Sequence, residues 1–266
     1  KKLITGGFYV IAVDKNPNSE GKKIAHEFYS IDILDQGALL KLAKLRKIDG
    51  VMNVNEFGSR SAGYISNMMN LQGHSFKTIE ATNDKGLMRD IWSENNLSSP
   101  KYIVFKKGDE IKDLVREIGF PCVLKPTDSG GSGRGISIIK SSKDINEAYD
   151  FAYGYARNGR FIIEEYIEGI EFTIETFTIN CKTYFLTMSD KVKPNLKTRV
   201  ATSLNYPANI KKEVKIKVEN LVSAALQKLE IKNGIAHTEI IIDKNNTPYL
   251  IETGARGGGG HIFHTI

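Results

Sequence analysis

The sequence predicts two domains, an α/β unit followed by an α+β unit, and three features carry that expectation. Apolar runs alternate with helix-period segments over the first 80 residues. The texture changes around Thr78–Thr82, where a capped helix follows. Beyond it, short strands succeed one another through turns and one glycine-rich loop. A length of 266 residues suits one large or two modest domains, and 41% hydrophobic with 26% charged residues excludes disordered, collagen-like and mucin-like chains.

In the first domain, Phe8–Asp14 and Asp49–Val54 are the expected strands. Between them Leu39, Leu42 and Leu45 form a helical stripe, and a second helix covers Ser59–Leu71. Alternating β and α units imply a parallel sheet covered by helices. Only KKLITGG precedes the first strand, so this domain is expected to be incomplete at its N-terminus. The next helix, in ATNDKGLMRDIWSENN, has Asn83 or Asp84 near its cap. From Lys101 to Glu165 the order reads strand, helix, strand, glycine loop, strand, helix, strand. Later strands lead to an amphipathic helix with Val214, Val218, Leu221, Val222, Ala225 and Leu229 on one stripe, then a hairpin and a glycine run.

No run of 18 apolar residues and no signal peptide can be read, which predicts a soluble cytoplasmic protein without a membrane partner. Cys122 and Cys181 both lie in strand-like stretches and are expected as reduced core residues. The net charge of +6 is scattered over helix faces, so no nucleic-acid partner is expected, while a small polyphosphate suits the balance.

The chemistry concentrates in four places. The loop Asp128–Gly135 (DSGGSGRG) joins two strands, and its Ser129, Gly130, Gly131, Ser132 and Gly133 can lay backbone N–H groups over a phosphate or simply form a flexible hairpin. Its spacing matches neither a Walker A loop nor a dinucleotide loop. Lys125, just before the loop, either snorkels at an edge or points into an anion pocket. The stretch Phe161–Glu171 (FIIEEYIEGIE) is either an acidic turn or a set of acceptors for an adenine amine and ribose hydroxyls.

The sharpest feature is Glu239 and Glu252. A two-residue turn at Asn245–Asn246 sets them directly opposite each other, where like charges destabilise the pair. A shared proton, a cation such as Arg256, or a divalent metal would relieve this, and Mg2+ combines a few carboxylates with phosphate oxygens. Arg256, followed by four glycines, can also stabilise a transferring phosphoryl group or clamp a carboxylate. His261 and His264 read as polar residues of a following helix. Arg199 and Ser203–Ile210 read as a substrate loop or a surface crossover.

Together, VLKP with its glycine loop, EEYIEGIE, and the acid pair ending in IETGAR resemble the ATP-grasp superfamily, in its carbamoyl-phosphate-synthetase-like and amino-acid-ligase-like branches. The resemblance implies an ATP-grasp fold at 81–266, with a smaller lid-like subdomain near 101–165 and a C-terminal subdomain near 166–266. Residues 1–80 would be the Rossmann-like pre-ATP-grasp domain. It implies ATP and Mg2+ as cofactors, with Mn2+ the alternative ion. Lys85, Lys125 and the loop would contact phosphates. The stretch Glu164, Glu165, Tyr166 and Ile167 would hold adenine, Glu171 the ribose, and Glu239 and Glu252 the metal. The chemistry implied is acylphosphate formation and attack by an amine, with release of ADP. Its partners would be a small-molecule carboxylate and amine, and related enzymes are often homodimers. The alternatives are bicarbonate phosphorylation of the carbamoyl-phosphate-synthetase or biotin-carboxylase type, and a non-catalytic ATP-binding module. One departure stands out: Gly254 occupies the position where the family commonly has Asn.

Overall fold

The computed structural model describes residues 2–130, 133–192 and 201–259, which fall into two compact units, 1–76 and 77–266. After the short helix α1 (Lys2–Thr5), the first unit pairs β1 (Ile11–Val13) with β2 (Glu27–Tyr29) in parallel. Helices α2 (Gln36–Arg46) and α3 (Ser59–Met68) contribute Leu39, Ala43 and Ile65 to a small core, against which Val13, Ile31 and Val51 pack.

Two expectations fail in this unit. Residues 49–54 form no strand: only Val51 turns inward, while Met52 and Val54 are exposed, so the apolar run has no second face to bury. The second strand is instead Glu27–Tyr29. Leu45 is 74% exposed, because a spacing of three residues rotates about 60° per step around a helix of 3.6 residues per turn, whereas Ala43, at i+4 from Leu39, stays on its face.

The second unit opens with α4 (Phe76–Asn83) and α5 (Lys85–Glu94). Asp84 caps α5, accepting from the N–H groups of Gly86 (2.8 Å) and Leu87 (3.1 Å). A four-stranded antiparallel sheet follows, ordered β3 (Tyr102–Lys106), β6 (Arg160–Glu165), β4 (Cys122–Pro126), β5 (Ser137–Ile139). Its interleaved helices α6 (Ile111–Ile118) and α7 (Ile145–Tyr153) close a core around Phe105, Leu124, Phe161 and Ile163. The element order expected for 101–165 is the one observed.

A second antiparallel sheet is ordered β11 (Pro248–Gly254), β10 (Gly234–Asp243), β7 (Gly169–Ile179), β8 (Lys182–Val192), β9 (Ser203–Asn205). One face packs on α8 (Lys212–Lys228) and on Met88 and Trp92 of α5. Val214, Val218, Val222 and Ala225 are buried as the stripe predicted. Cys122 is buried, but Cys181 is exposed at the β7–β8 turn with a left-handed φ of 65°, so the expectation of two core cysteines holds for one. No described helix is long and apolar enough to cross a membrane.

Candidate functional site

Strict alternation in β10 turns Ala236, Ile240 and Ile242 toward the helices and leaves His237, Glu239 and Ile241 on the other face. Paired residues share a face, so registers define rows across the sheet. Glu252, Glu239, Thr173 and Ser189 form one row; Gly254, His237, Glu175 and Thr187 form the next. Glu171 lies beside Ile241 on the same face.

Glu239 and Glu252 are therefore opposed, as the sequence predicts, but not through the turn expected. The loop holds three residues, Lys244–Asn246, with Asn246 at φ 60° and Asp243 donating its N–H to Thr247 O at 3.1 Å. That loop alone would set Glu239 opposite Ile251. A β-bulge intervenes: Ile240 pairs with Leu250 while Glu239 pairs with Glu252, leaving Ile251 as the extra residue. The two departures cancel.

Lysines neutralise the two acids. Lys191 Nζ lies 2.6 Å from both Glu239 and Glu171. Burial raises the Glu239 carboxyl, yet Lys191 and His237 hold it well below the usual range. Burial likewise opposes the Lys191 charge, and the two glutamates outweigh it and raise its pKa. Lys85 Nζ sits 3.1 Å from Glu252. One turn on in α5, the fully buried Arg89 places Nη2 2.7 Å from Glu164 and donates to the carbonyl of Ile251 at 2.7 Å. Arg89 thus holds the bulge that brings Glu252 into line. Lys125 completes the cluster as an ion pair with Glu164. Burial raises Glu164, while Arg89 and Lys125 pull it below its ordinary value. Burial lowers the Lys125 pKa despite Glu164.

Lys125 is thus buried against Glu164 and does not snorkel. The backbone N–H of Lys85 donates to Thr127 O at 2.8 Å, and Asp84 accepts from Thr127 Oγ1, Asn158 and Arg160, so the root of the glycine loop is tied to the start of α5. In the loop, Gly130 and Gly133 adopt φ of 73° and 70°. The Ser129 hydroxyl is buried without a hydrogen-bond partner among the described residues. Gly131 and Ser132 lie outside the described residues, as do Arg199, His261 and His264. Glu164 is committed to the cluster, whereas Glu165, Tyr166 and Ile167 line a pocket of about 700 Å³. Its lining combines Phe172, Val214 and Ile242 of the helix-packed core with Tyr249, the partner of Ile241 on the opposite face, so it lies at the end of the sheet. Arg256 Nη1 donates to Gly257 O at 2.8 Å.

Sequence reasoning missed Lys191, Arg89, His237 and Glu175. Arg89 carried a usable signal, since it lies four residues after Lys85 on a capped helix and shares its face. Lys191 carried none, because one lysine in a strand reads as a solvated edge.

Residues 118–264 match the family model described as the ATP-grasp domain. The formate-dependent phosphoribosylglycinamide formyltransferase of Methanococcus maripaludis is 33% identical over 168 residues, covering 61% of this chain and 42% of that protein. The chain therefore spans less than half the length of the curated relatives it matches. The L-amino acid ligase of Bacillus licheniformis superposes with a TM-score of 0.85 at 26% identity, covering 98% of this chain and 64% of that one. The biotin carboxylase domain of the Hydrogenobacter thermophilus 2-oxoglutarate carboxylase, solved with MgADP and bicarbonate, gives 0.83 at 20% identity, covering 97% and 61%, a likeness of fold.

Proposed function

The chain belongs to the ATP-grasp family, and from that premise we propose that it is an ATP- and Mg2+-dependent ligase. It activates a small-molecule carboxylate as an acylphosphate for attack by an amine and releases ADP and phosphate. The observation that carries this reading is the convergence of Lys85, Lys125, Glu239 and Glu252, two buried cations and two opposed acids, beside a glycine loop. Relatives named for formate-dependent formyl transfer and for amino-acid ligation support it.

In this reading residues 1–80 are the pre-ATP-grasp domain and 81–266 the ATP-grasp domain, with a lid near 101–165 and a C-terminal part near 166–266. Lys85, Lys125 and the loop Asp128–Gly135 hold the phosphates. Backbone groups of Glu164–Ile167 hold adenine, and Glu171 takes the ribose hydroxyls. Arg256 clamps the transferring group, and no side-chain nucleophile is required, because positioning and charge neutralisation suffice.

The acids fit a metal. Mg2+ takes one or two carboxylates and completes its octahedron with water and phosphate oxygens. When bound, the ion screens the phosphate charge that opposes transfer. Lys191, shared between Glu171 and Glu239, compensates the charge of those carboxylates, which would be the groups to hold the ion and the ribose.

The test is ADP release from MgATP with a panel of amino acids and small acids, formate included. Tight MgATP binding with no ADP from any acid overturns the ligase reading. Gly254 favours a second reading, an ATP-binding module without turnover. The atoms nearest to a Cβ at 254 belong to the Arg256 side chain, at 3.5–3.7 Å, an ordinary contact, so the Cβ of Gly254→Asn meets no clash. ADP release appearing only in Gly254→Asn would establish that second reading.

A further inference from the structure

The carboxylate of Glu175 has no part in the site as assigned, yet it is one of the most enclosed charges in the sheet, 1% exposed in the middle of β7. Both of its oxygens are engaged. Oε2 accepts from the backbone N–H of Gly258 at 3.0 Å, and Oε1 meets His237 Nδ1 at 2.5 Å. The other imidazole nitrogen, Nε2, stands 3.5 Å from Glu239. Thr187, directly across on β8, leaves its hydroxyl without a partner among the described residues, although a hydroxyl is the ready donor to a neighbouring carboxylate. Glu175 is therefore turned toward the segment after β11 and away from its cross-strand neighbour.

That segment carries Arg256 two residues before Gly258. A Cβ at 258 would overlap Glu175 Oε1 and crowd His237 Nδ1, so any other residue there would displace the carboxylate. Burying a carboxylate costs several kcal/mol, and a neutral residue would satisfy one amide without that cost. We propose that Glu175 is a positioning residue. It fastens the glycine run to the sheet through the Gly258 amide, braced by His237, and so fixes the backbone from which Arg256 reaches the transferring group. The consequence for turnover rests on Arg256 acting as proposed above; the fastening itself does not.

The test uses the whole chain and two readouts. Hydrogen exchange followed on a peptide covering 254–259 should speed up by about tenfold or more in Glu175→Ala and in Gly258→Ala, with β7 and β10 unchanged. Glu175→Gln keeps an oxygen for the Gly258 amide and should restore much of the protection. With the acid–amine pair that gives most ADP in the panel, kcat should fall about 10²-fold in both alanine variants, while the Kd for MgADP stays within about threefold by calorimetry, a change of under 1 kcal/mol. Unchanged exchange in Glu175→Ala, equal loosening of β7 and β10, or an effect confined to KM would overturn the proposal. Loosening of 254–259 in a chain that turns over no acid supports the fastening and overturns the ligase reading alone.

Discussion

Replacing Arg89 by Met removes the charge that joins α5, β6 and β11 while keeping most of the side-chain volume. Arg89 is wholly buried, pairs with a Glu164 that is itself 2% exposed, and holds the Ile251 carbonyl. Breaking a buried pair from one side costs about 3–5 kcal/mol. Two observations favour the lower end: Glu164 keeps Lys125, and the Nε and Nη1 donors of Arg89 have no hydrogen-bond partner among the described residues. The lost bond to Ile251 adds about 1 kcal/mol. A loss of about 3–4 kcal/mol lowers the melting temperature of a unit this size by about 6–16 °C. Urea unfolding without nucleotide measures it, and the double variant Arg89→Met/Glu164→Gln should recover about 2 kcal/mol relative to the summed single losses, since the Arg89 charge is then no longer stranded by the loss of Glu164, while Lys125 loses its partner in the Glu164→Gln single and in the double alike. A loss below about 1 kcal/mol for Arg89→Met, or single losses that add within about 0.5 kcal/mol, would refute the account of the cluster.

Lys125→Met should weaken MgATP about ten- to hundredfold by calorimetry, the worth of one charge-assisted bond to phosphate; unchanged affinity would place the phosphates elsewhere. Glu252→Gln should lower ADP release about 10²–10³-fold while melting near the wild type, because relief of repulsion against Glu239 offsets loss of the Lys85 pair; a large loss of stability would contradict the opposition of the two acids. Asp144 is held below the ordinary carboxyl range chiefly by the N–H groups of Ser141 and Lys140. Its contribution is therefore complete above its unfolded pKa and lost as pH falls through the depressed folded value. The melting difference between wild type and Asp144→Ala should persist at pH 6 and shrink progressively on acidification below the ordinary Asp pKa of about 3.9; a pH-independent difference would exclude the capping role.

Local patterns made much of this protein legible. The cap at Asp84, the stripe of α8, and the strand–helix order of 101–165 each depend on neighbours within a few residues, where chain geometry leaves little choice. The acid pair was legible too, although its expected turn was one residue short and the bulge at Ile251 made up the difference. The failures at 49–54, Leu45 and Cys181 share a cause: an apolar residue in a plausible pattern is buried only if another element arrives to cover it.

Residue type and spacing by themselves singled out the candidates: Lys125 before a glycine loop, two acids on adjacent strands, and an arginine before a glycine run, with Lys85 added only by the family resemblance. Tertiary structure alone decided which charges answer them. Lys191 reaches Glu239 from 48 residues away, and Arg89 reaches Ile251 across 162. Charges buried in a low-dielectric interior must be compensated within a few ångströms, and proximity of that kind is a property of the fold, which the order of residues in the chain does not display.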